Sequence, residues 1–454
     1  MSAPRPNEKK TKKLQAQKSG GDARRPRFTV GEVYEYRVAR LFFALGFFVR
    51  RGRDILTVNA LDKATDLDVL AIRYSVPFRR EIQIAECKDA VNAGPLDRIF
   101  WLNGVKQFVS ADRATLVRRG TRWNIKDFAK GAGVEILDFP RLAEMEASLG
   151  IKDGDAPGLC DFDWFSRNRE AFNASLAENK SFDDVFQTLS GEVRFNQPFP
   201  GFNLFMFFAR QLTRSLLVPG RNQDQFRRYL YCDALAHICM FVMRIAEECY
   251  TLHSLDTARY VTKGLQYGDS DPQLYDRLMA MARRLSGELI SERVGQPVII
   301  GEETFQVPVP PEAPQVKQIV DALLSAPRMA TSILPILDYV AMEVYLKKRT
   351  DLSWLSVMYP GDQLRERLEF TLSVLRTLRC IEVVPPDFVA EIEGAVGAHF
   401  SAQVVSGTKA SNTHSASSLN EPKPNMKENG PPSPGSTSSP ATITLFSPTD
   451  DTNV

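Results

Sequence analysis

Between Thr65 and Asp89 the chain reads TDLDVLAIRYSVPFRREIQIAECKD, and no other stretch limits the fold as strongly. Two apolar, strand-like runs, 68–73 and 81–87, flank a turn that contains Pro77. Side chains on a strand alternate between faces. Ile82, Ile84, Glu86 and Lys88 therefore share one face, with Glu86 and Lys88 about 6–7 Å apart along the strand. On the first run, Asp68 shares a face with Leu70 and Ile72. If the runs pair as a hairpin, Asp68 can face the end of the second run, where Glu86 lies. A slip of one residue in that pairing would turn every side chain to the other face.

A carboxylate at the end of an apolar face loses water and is costly unless something compensates. Two carboxylates side by side raise each other's pKa. A divalent cation relieves both problems, because Mg²⁺ takes oxygen ligands, usually one or two carboxylates with water and phosphate oxygens. Asp68 and Glu86 are therefore candidate metal ligands. Lys88 is the candidate to hold or activate an attacking water and to stabilise charge on a phosphate. The bland alternative is a strand-end ion pair without chemistry, since exposed pairs are common and weak. Asp66 reads as a loop residue. Cys87 alternates away from Glu86 and reads as a small buried side chain. Arg98 and Lys106 read as solvated surface or as phosphate contacts.

The surroundings read as a layered α/β domain over 28–145. Tyr34, Val38, Leu41, Phe42 and Leu45 recur at helical spacing, so a helix buries that stripe and Gly46 ends it. Strands follow around Phe47–Arg51 and Ile55–Asn59, then the two runs above. A helix is expected from about Leu96 to Phe108, a strand from 114, a helix from 124 and a last strand from 134. Thr29-Val30-Gly31-Glu32 fits a capping box, which gives Glu32 a structural role. Glu35 has no such assignment. It lies beside the buried stripe, near Val38, Ala39 and Phe42, and is a candidate second-metal or water-positioning group.

Glu35 on an opening helix, Gly46 ending that helix, Asp68-Val-Leu-Ala, and Glu86-Cys-Lys88 together resemble the PD-(D/E)xK nuclease superfamily. The likeness is to its Mrr-like branch, which shares an opening helix of the form E-x-x-V-A-x-L-F-x-x-L-G-F. The resemblance implies a restriction-endonuclease-like core, a mixed sheet flanked by helices, that hydrolyses phosphodiester bonds with Mg²⁺ or Mn²⁺. It implies Asp68 and Glu86 as the metal-binding acids, Lys88 as the lysine, and Glu35 as the helix-one acid. The expected partner is nucleic acid, with DNA the expected substrate. Leu67 stands where many members have proline, and the RecB-like Q-x-x-x-Y helix motif is absent, because Ala111 follows Gln107 at that spacing. The other reading in view is a nuclease-like domain without catalysis that binds nucleic acid or protein in a larger assembly. A third is a scaffold whose helical region does the main work.

Beyond 28–145 the sequence is mainly helical over 155–305 and 315–400, with a break at VPVPPEAP. Cys232, His237, Cys239, Cys249 and His253 match no zinc spacing and read as helix core. QLRERLEFTLSVLRTLRCIEVVP, a helix expected to lead into a short apolar strand, has the look of the end of a winged helix. FNLFMFFARQLTRSLL reads as helical core. No apolar run is expected to approach the roughly 18 residues that cross a bilayer, and no membrane partner is expected. Six cysteines at scattered spacings, with no CxxC pair, fit a reducing compartment, so the expected location is cytoplasmic. Basic residues 1–26 and the Ser-, Thr-, Pro- and Asn-rich residues 403–454 bury too little apolar surface to fold and are expected to be disordered tails. The helical region is left to supply substrate choice, regulation or homodimerisation.

Overall fold

The computed structural model describes residues 30–56, 63–88, 94–152, 154–155, 157–178, 180–191, 197–217, 225–268, 270–301 and 307–413. The amino-terminal tail and most of the carboxy-terminal one lie outside these residues. Helix α1 (Val30–Ala44) leads into strand β1 (Phe48–Leu56), then β2 (Lys63–Ser75) and β3 (Arg79–Lys88). Helix α2 (Pro95–Phe108), strand β4 (Arg113–Arg118), helix α3 (Trp123–Gly131), strand β5 (Glu135–Asp138) and helix α4 (Phe139–Ser148) complete the α/β part. The strands form one mixed sheet in the order β1-β2-β3-β4-β5. β1, β2 and β3 pair antiparallel, and β3, β4 and β5 pair parallel.

The stripe expected on α1 is buried in its middle: Val38, Leu41 and Phe42 are almost inaccessible, Tyr34 is half-buried, and Leu45, past the end of the helix, is 37% exposed. Gly46 closes the helix at φ +84°, a left-handed conformation that glycine adopts without strain. The hairpin of β2 and β3 also forms as expected, closed by residues 76–78. One expectation changes. The two strands placed on either side of Gly52 are a single strand, β1, in which Gly52 takes φ +57° without ending the pairing with β2. Asp66, read as a loop residue, lies in β2, across from Asp54.

Helices α5 (Phe162–Glu178), α6 (Lys180–Ser190), α7 (Pro198–Leu216), α8 (Gln225–Cys249), α9 (Ser254–Tyr267) and α10 (Pro272–Val294) follow. After them come α11 (Ala313–Ser325), α12 (Pro327–Ala330) and α13 (Ile333–Val340), a π-helical turn at Ala341–Leu346, α14 (Ser353–Met358), α15 (Asp362–Cys380) and α16 (Pro386–Thr413). Helix α8 is the axis of this part, with nineteen buried residues. By length and composition it is apolar enough to cross a membrane, contrary to the sequence reading, and 89% of its most apolar window is covered by protein. Cys232, His237, Cys239 and Cys249 are core side chains on this helix, while His253 caps α9 by accepting from the Leu255 N–H. Gly201 on α7 lies against the Phe241 ring, where a Cβ would collide, so the absence of a side chain sets how closely α7 approaches α8.

Two further expectations are corrected. The strand anticipated after α15 is a turn over 381–384, with Glu382 at φ +59°, and helix resumes at Pro386, so the winged-helix comparison loses its strand. Residues 403–413, assigned to the tail, continue α16 as helix.

The described residues up to Ser401 make one compact unit, and buried charges join the sheet to the helices within it. Arg50 on β1 donates from Nε to Asp233 on α8 at 2.7 Å and from Nη2 to Asp338 on α13 at 2.9 Å. Arg53, three residues further along β1, reaches the same Asp233 at 3.2 Å and the Leu189 carbonyl. All four side chains are buried. Burial alone would raise the Asp233 carboxyl, but Arg50 and Arg53 hold it well below the usual carboxylate range.

Candidate active site

The ladder between β2 and β3 runs from Ser75 opposite Arg79 to Val69 opposite Ala85. Beyond that pair the two backbones stop exchanging bonds. The Cys87 N–H turns instead to the Asp68 carboxylate, donating to Oδ2 at 2.7 Å. Asp68 is thereby fixed by main chain at the place where the strands part. Lys88 Nζ lies 2.8 Å from Glu86 Oε1 and 3.5 Å from Asp68 Oδ2. The three side chains therefore converge as the alternation argument required. Asp68 and Glu86 are buried, at 7% and 3% exposure, Asp68 in the middle of β2 where its ladder with β3 stops and Glu86 near the end of β3. Cys87 points away into the core, and burial pushes its thiol far up.

Four elements position these groups. β2 supplies Asp68, and the register on its other side, Arg51 with Val69 and Arg53 with Leu67, brings Gly52 next to it. β3 supplies Glu86 and Lys88, whose neighbours on β4 are Leu116 and Arg118. α2 supplies Arg98, with Nη1 3.5 Å from Glu86 Oε1 and its guanidinium 5.6 Å from the centre of the Trp101 ring. α1 supplies Glu35, whose direct partner is Arg51 at 2.7 Å rather than either acid. Burial raises the Glu35 carboxyl; Arg51 opposes this and the nearby Asp68 charge adds to it. Glu35 thus feels the Asp68 charge while its own carboxylate is paired with Arg51. Lys106 donates to the Gly133 carbonyl, at the far end of α2 from Arg98.

The electrostatics are those of a site short of positive charge. Burial, then the Asp68 charge, pushes Glu86 from its usual 4.5 up to about 7, despite Lys88 and Arg98. Burial would lower the Lys88 ammonium, but its bond to Glu86 and the Asp68 charge outweigh this and raise it. Lys88 is accordingly a cation at neutral pH. Among the described residues, Asp68 Oδ1 and Glu86 Oε2 receive no hydrogen bond or ion pair. No group of three or more His, Cys, Asp or Glu side chains forms a metal cage among the described residues. Two oxygens from two carboxylates are what Mg²⁺ ordinarily takes from protein, the rest of its shell being water and phosphate. The donor set and the raised Glu86 carboxyl both fit such an ion. A cavity of about 910 Å³ lies elsewhere, between α10 and residues 295–300, and none of the site residues line it.

The shifted glutamate makes a stability prediction. Folded Glu86 gives up its proton near pH 7 and the unfolded chain near 4.5, so between these values the folded state holds the extra proton. The stabilisation is full below about 4.5 and is lost as pH rises through about 7. Glu86→Gln, which keeps the shape without the charge, should stabilise the protein in EDTA at pH 8 by roughly 2–3 kcal/mol. At about pH 4, below both values, wild type and variant should match. Urea unfolding at both pH values checks this, and a variant that is less stable at pH 8 would mean that Lys88 and Arg98 already satisfy Glu86.

Arg51 and Arg98 are the neighbours that sequence reasoning undervalued. Arg51 sits in RRGR, three arginines in four residues inside a strand, and that density was the available signal. No protein-family model matches this chain, and comparison with curated proteins and with solved structures likewise yields no match.

Proposed function

We propose that this chain is a metal-dependent nuclease that hydrolyses phosphodiester bonds, with DNA as its substrate. The observation that carries the reading is the convergence of Asp68, Glu86 and Lys88 where β2 and β3 part, with one oxygen of each acid left without a partner among the described residues. A PD-(D/E)xK-like core accounts for that arrangement on this mixed sheet.

Asp68 and Glu86 would hold a Mg²⁺ or Mn²⁺ ion. Such an ion, when bound, polarises a phosphoryl oxygen and lowers the pKa of its water. The chain's own residues do the remainder. The Cys87 N–H holds Asp68 in one orientation, so that its free oxygen is presented without a conformational search. Lys88, charged at neutral pH, orients water and stabilises negative charge on the phosphate; it is not the base. Arg98 stands close enough to Glu86 to exchange that contact for a phosphate oxygen. Glu35 and Arg51 form a second rank that keeps the carboxylate density near Asp68 in check.

The test is supercoiled-plasmid cleavage by the full-length protein with Mg²⁺, with Mn²⁺ and with EDTA. Cleavage in either metal and none in EDTA supports the reading, and identical behaviour in all three sinks it. A readout independent of turnover accompanies it. Divalent ions should raise the thermal midpoint of wild type and leave Asp68→Ala unmoved. Because Glu86 must lose its proton, the apparent metal affinity should climb with pH up to about 7 and then level off. A pH-independent affinity would argue against Glu86 as a ligand.

The catalytically silent alternative remains a distinct reading, with the same surface used for binding. It differs in one measurable respect: nucleic-acid binding would survive Lys88→Ala while no metal-dependent turnover appeared on any substrate.

A further inference from the structure

Trp123 is 79% exposed, an unusual setting for the largest apolar side chain. Its place in the fold is more informative than its exposure. β3, β4 and β5 are parallel and adjacent, and α2 and α3 make the two crossovers between them. Such crossovers are right-handed, so two that step the same way across a sheet put both helices on one face. The Phe100 ring of α2 and the Phe128 ring of α3 meet edge-on at 5.6 Å, as that arrangement requires. Arg98 on α2 reaches Glu86, so this is the face of the acid–acid–lysine cluster. The first turns of α2 and α3 then lie beyond the same strand ends that carry Lys88 and Arg118.

Five residue steps separate Arg118 from Trp123, so their Cα atoms are within about 17 Å. Arg118 is the register neighbour of Lys88. Arg122, immediately before Trp123, is exposed. Along this edge the order is therefore Glu86 with Arg98, Lys88, Arg118, Arg122 and Trp123: a run of cations ending on an open indole. Phe100, 61% exposed, and Phe128, 40% exposed, extend the aromatic surface along the two helices.

We infer that this edge binds an unpaired nucleotide strand, with phosphates along Lys88, Arg118 and Arg122 and a base stacked on Trp123. The inference rests on the nuclease reading of the neighbouring cluster and adds the substrate's form to it. Cations track a phosphate backbone regardless of base sequence. An open aromatic face adds affinity only when a base is available to stack on it, and duplex bases are already stacked on each other. Arginines alone would serve a duplex equally; the exposed indole beside them selects single-stranded or locally melted substrate. Arg122 and Trp123 lie outside the cluster that would perform hydrolysis, so their replacement changes which strand is held and leaves the hydrolytic groups in place.

The experiment uses full-length Asp68→Ala protein, which holds substrate without cutting it, and a fluorescein-labelled oligonucleotide offered single-stranded or annealed as a blunt duplex. Adding Trp123→Ala should weaken single-strand binding by about tenfold or more, with little change for the duplex. Trp123→Phe, which retains a ring, should recover most of the affinity. Thermal unfolding of each variant, expected to be unchanged for so exposed a residue, separates lost stacking from lost fold. Two results overturn the inference alone: unchanged single-strand affinity in Trp123→Ala, or equal loss on both substrates, which would make the indole a general contact. If the Asp68→Ala protein binds neither nucleic acid, the nuclease reading falls with it. If plasmid cleavage stands while Trp123→Ala discriminates nothing, only the substrate's form is wrong.

Discussion

Asp68→Ala is expected to lower metal-dependent hydrolysis by about a thousandfold or more, and Lys88→Ala by about a hundred- to a thousandfold. The two variants should differ in how they fail. Asp68 accepts the Cys87 N–H through one oxygen, so removing it deletes a proposed ligand and leaves a buried main-chain donor without its acceptor. Divalent ions should then lose their stabilising effect on the thermal midpoint. Lys88 is half-exposed and touches both acids, so its loss leaves the two proposed ligands in place and increases the repulsion between them. Metal should consequently stabilise Lys88→Ala at least as strongly as it does wild type, while turnover collapses. Plasmid cleavage paired with thermal melts at fixed pH separates the cases. Full activity in both variants would leave the cluster as an ordinary strand-end ion pair.

The second large effect concerns the fold. Asp233→Ala should destabilise the protein by roughly 3–5 kcal/mol, because it leaves two buried guanidiniums without their shared carboxylate. That is a large fraction of the 5–15 kcal/mol typical of whole domains. Arg50 keeps Asp338, but among the described residues Arg53 keeps only the Leu189 carbonyl. Asp233 is held ionised by these arginines, so its contribution is present above about pH 4 and fades as pH falls below it. Urea unfolding at neutral pH is the measurement, with soluble yield as the first indication. An unchanged midpoint would mean that the arginines find water or other acceptors when Asp233 is gone.

The hairpin and its charges were legible because everything that determines them is local. Twenty-five residues contain both runs, their turn and the alternation that selects the faces, and the register pairs Val69 with Ala85 as that alternation demands. The helix α1 stripe was legible for the same reason, with Gly46 as its stop. Errors arose where a residue's meaning depends on a distant partner. Gly52 looked like a break, yet the β2 backbone beside it keeps β1 continuous through its left-handed φ. The strand expected after α15 had an apolar sequence, but Val383 and Val384 are buried in helix packing, and the Val383 carbonyl accepts from Thr213 on α7 and Tyr231 on α8. Asp233 and Asp338 stand alone in otherwise apolar helical sequence, which is itself a sign of buried cations. Their identity as Arg50 and Arg53, nearly two hundred positions away and more, was not recoverable from spacing. For the site, Asp68, Glu86 and Lys88 could be named from alternation, whereas the Arg51 clamp on Glu35 depends on how α1 lies against β1.

That shared carboxylate has a practical corollary for anyone wishing to borrow the proposed chemistry. A fragment trimmed to 28–145 would carry Arg50 and Arg53 on an edge strand whose acidic counterparts were left behind, and it should aggregate or stay unfolded instead of cutting. Transplanting the cluster into another scaffold would require either importing α8 and α13 with it or recolouring both arginines as apolar residues first.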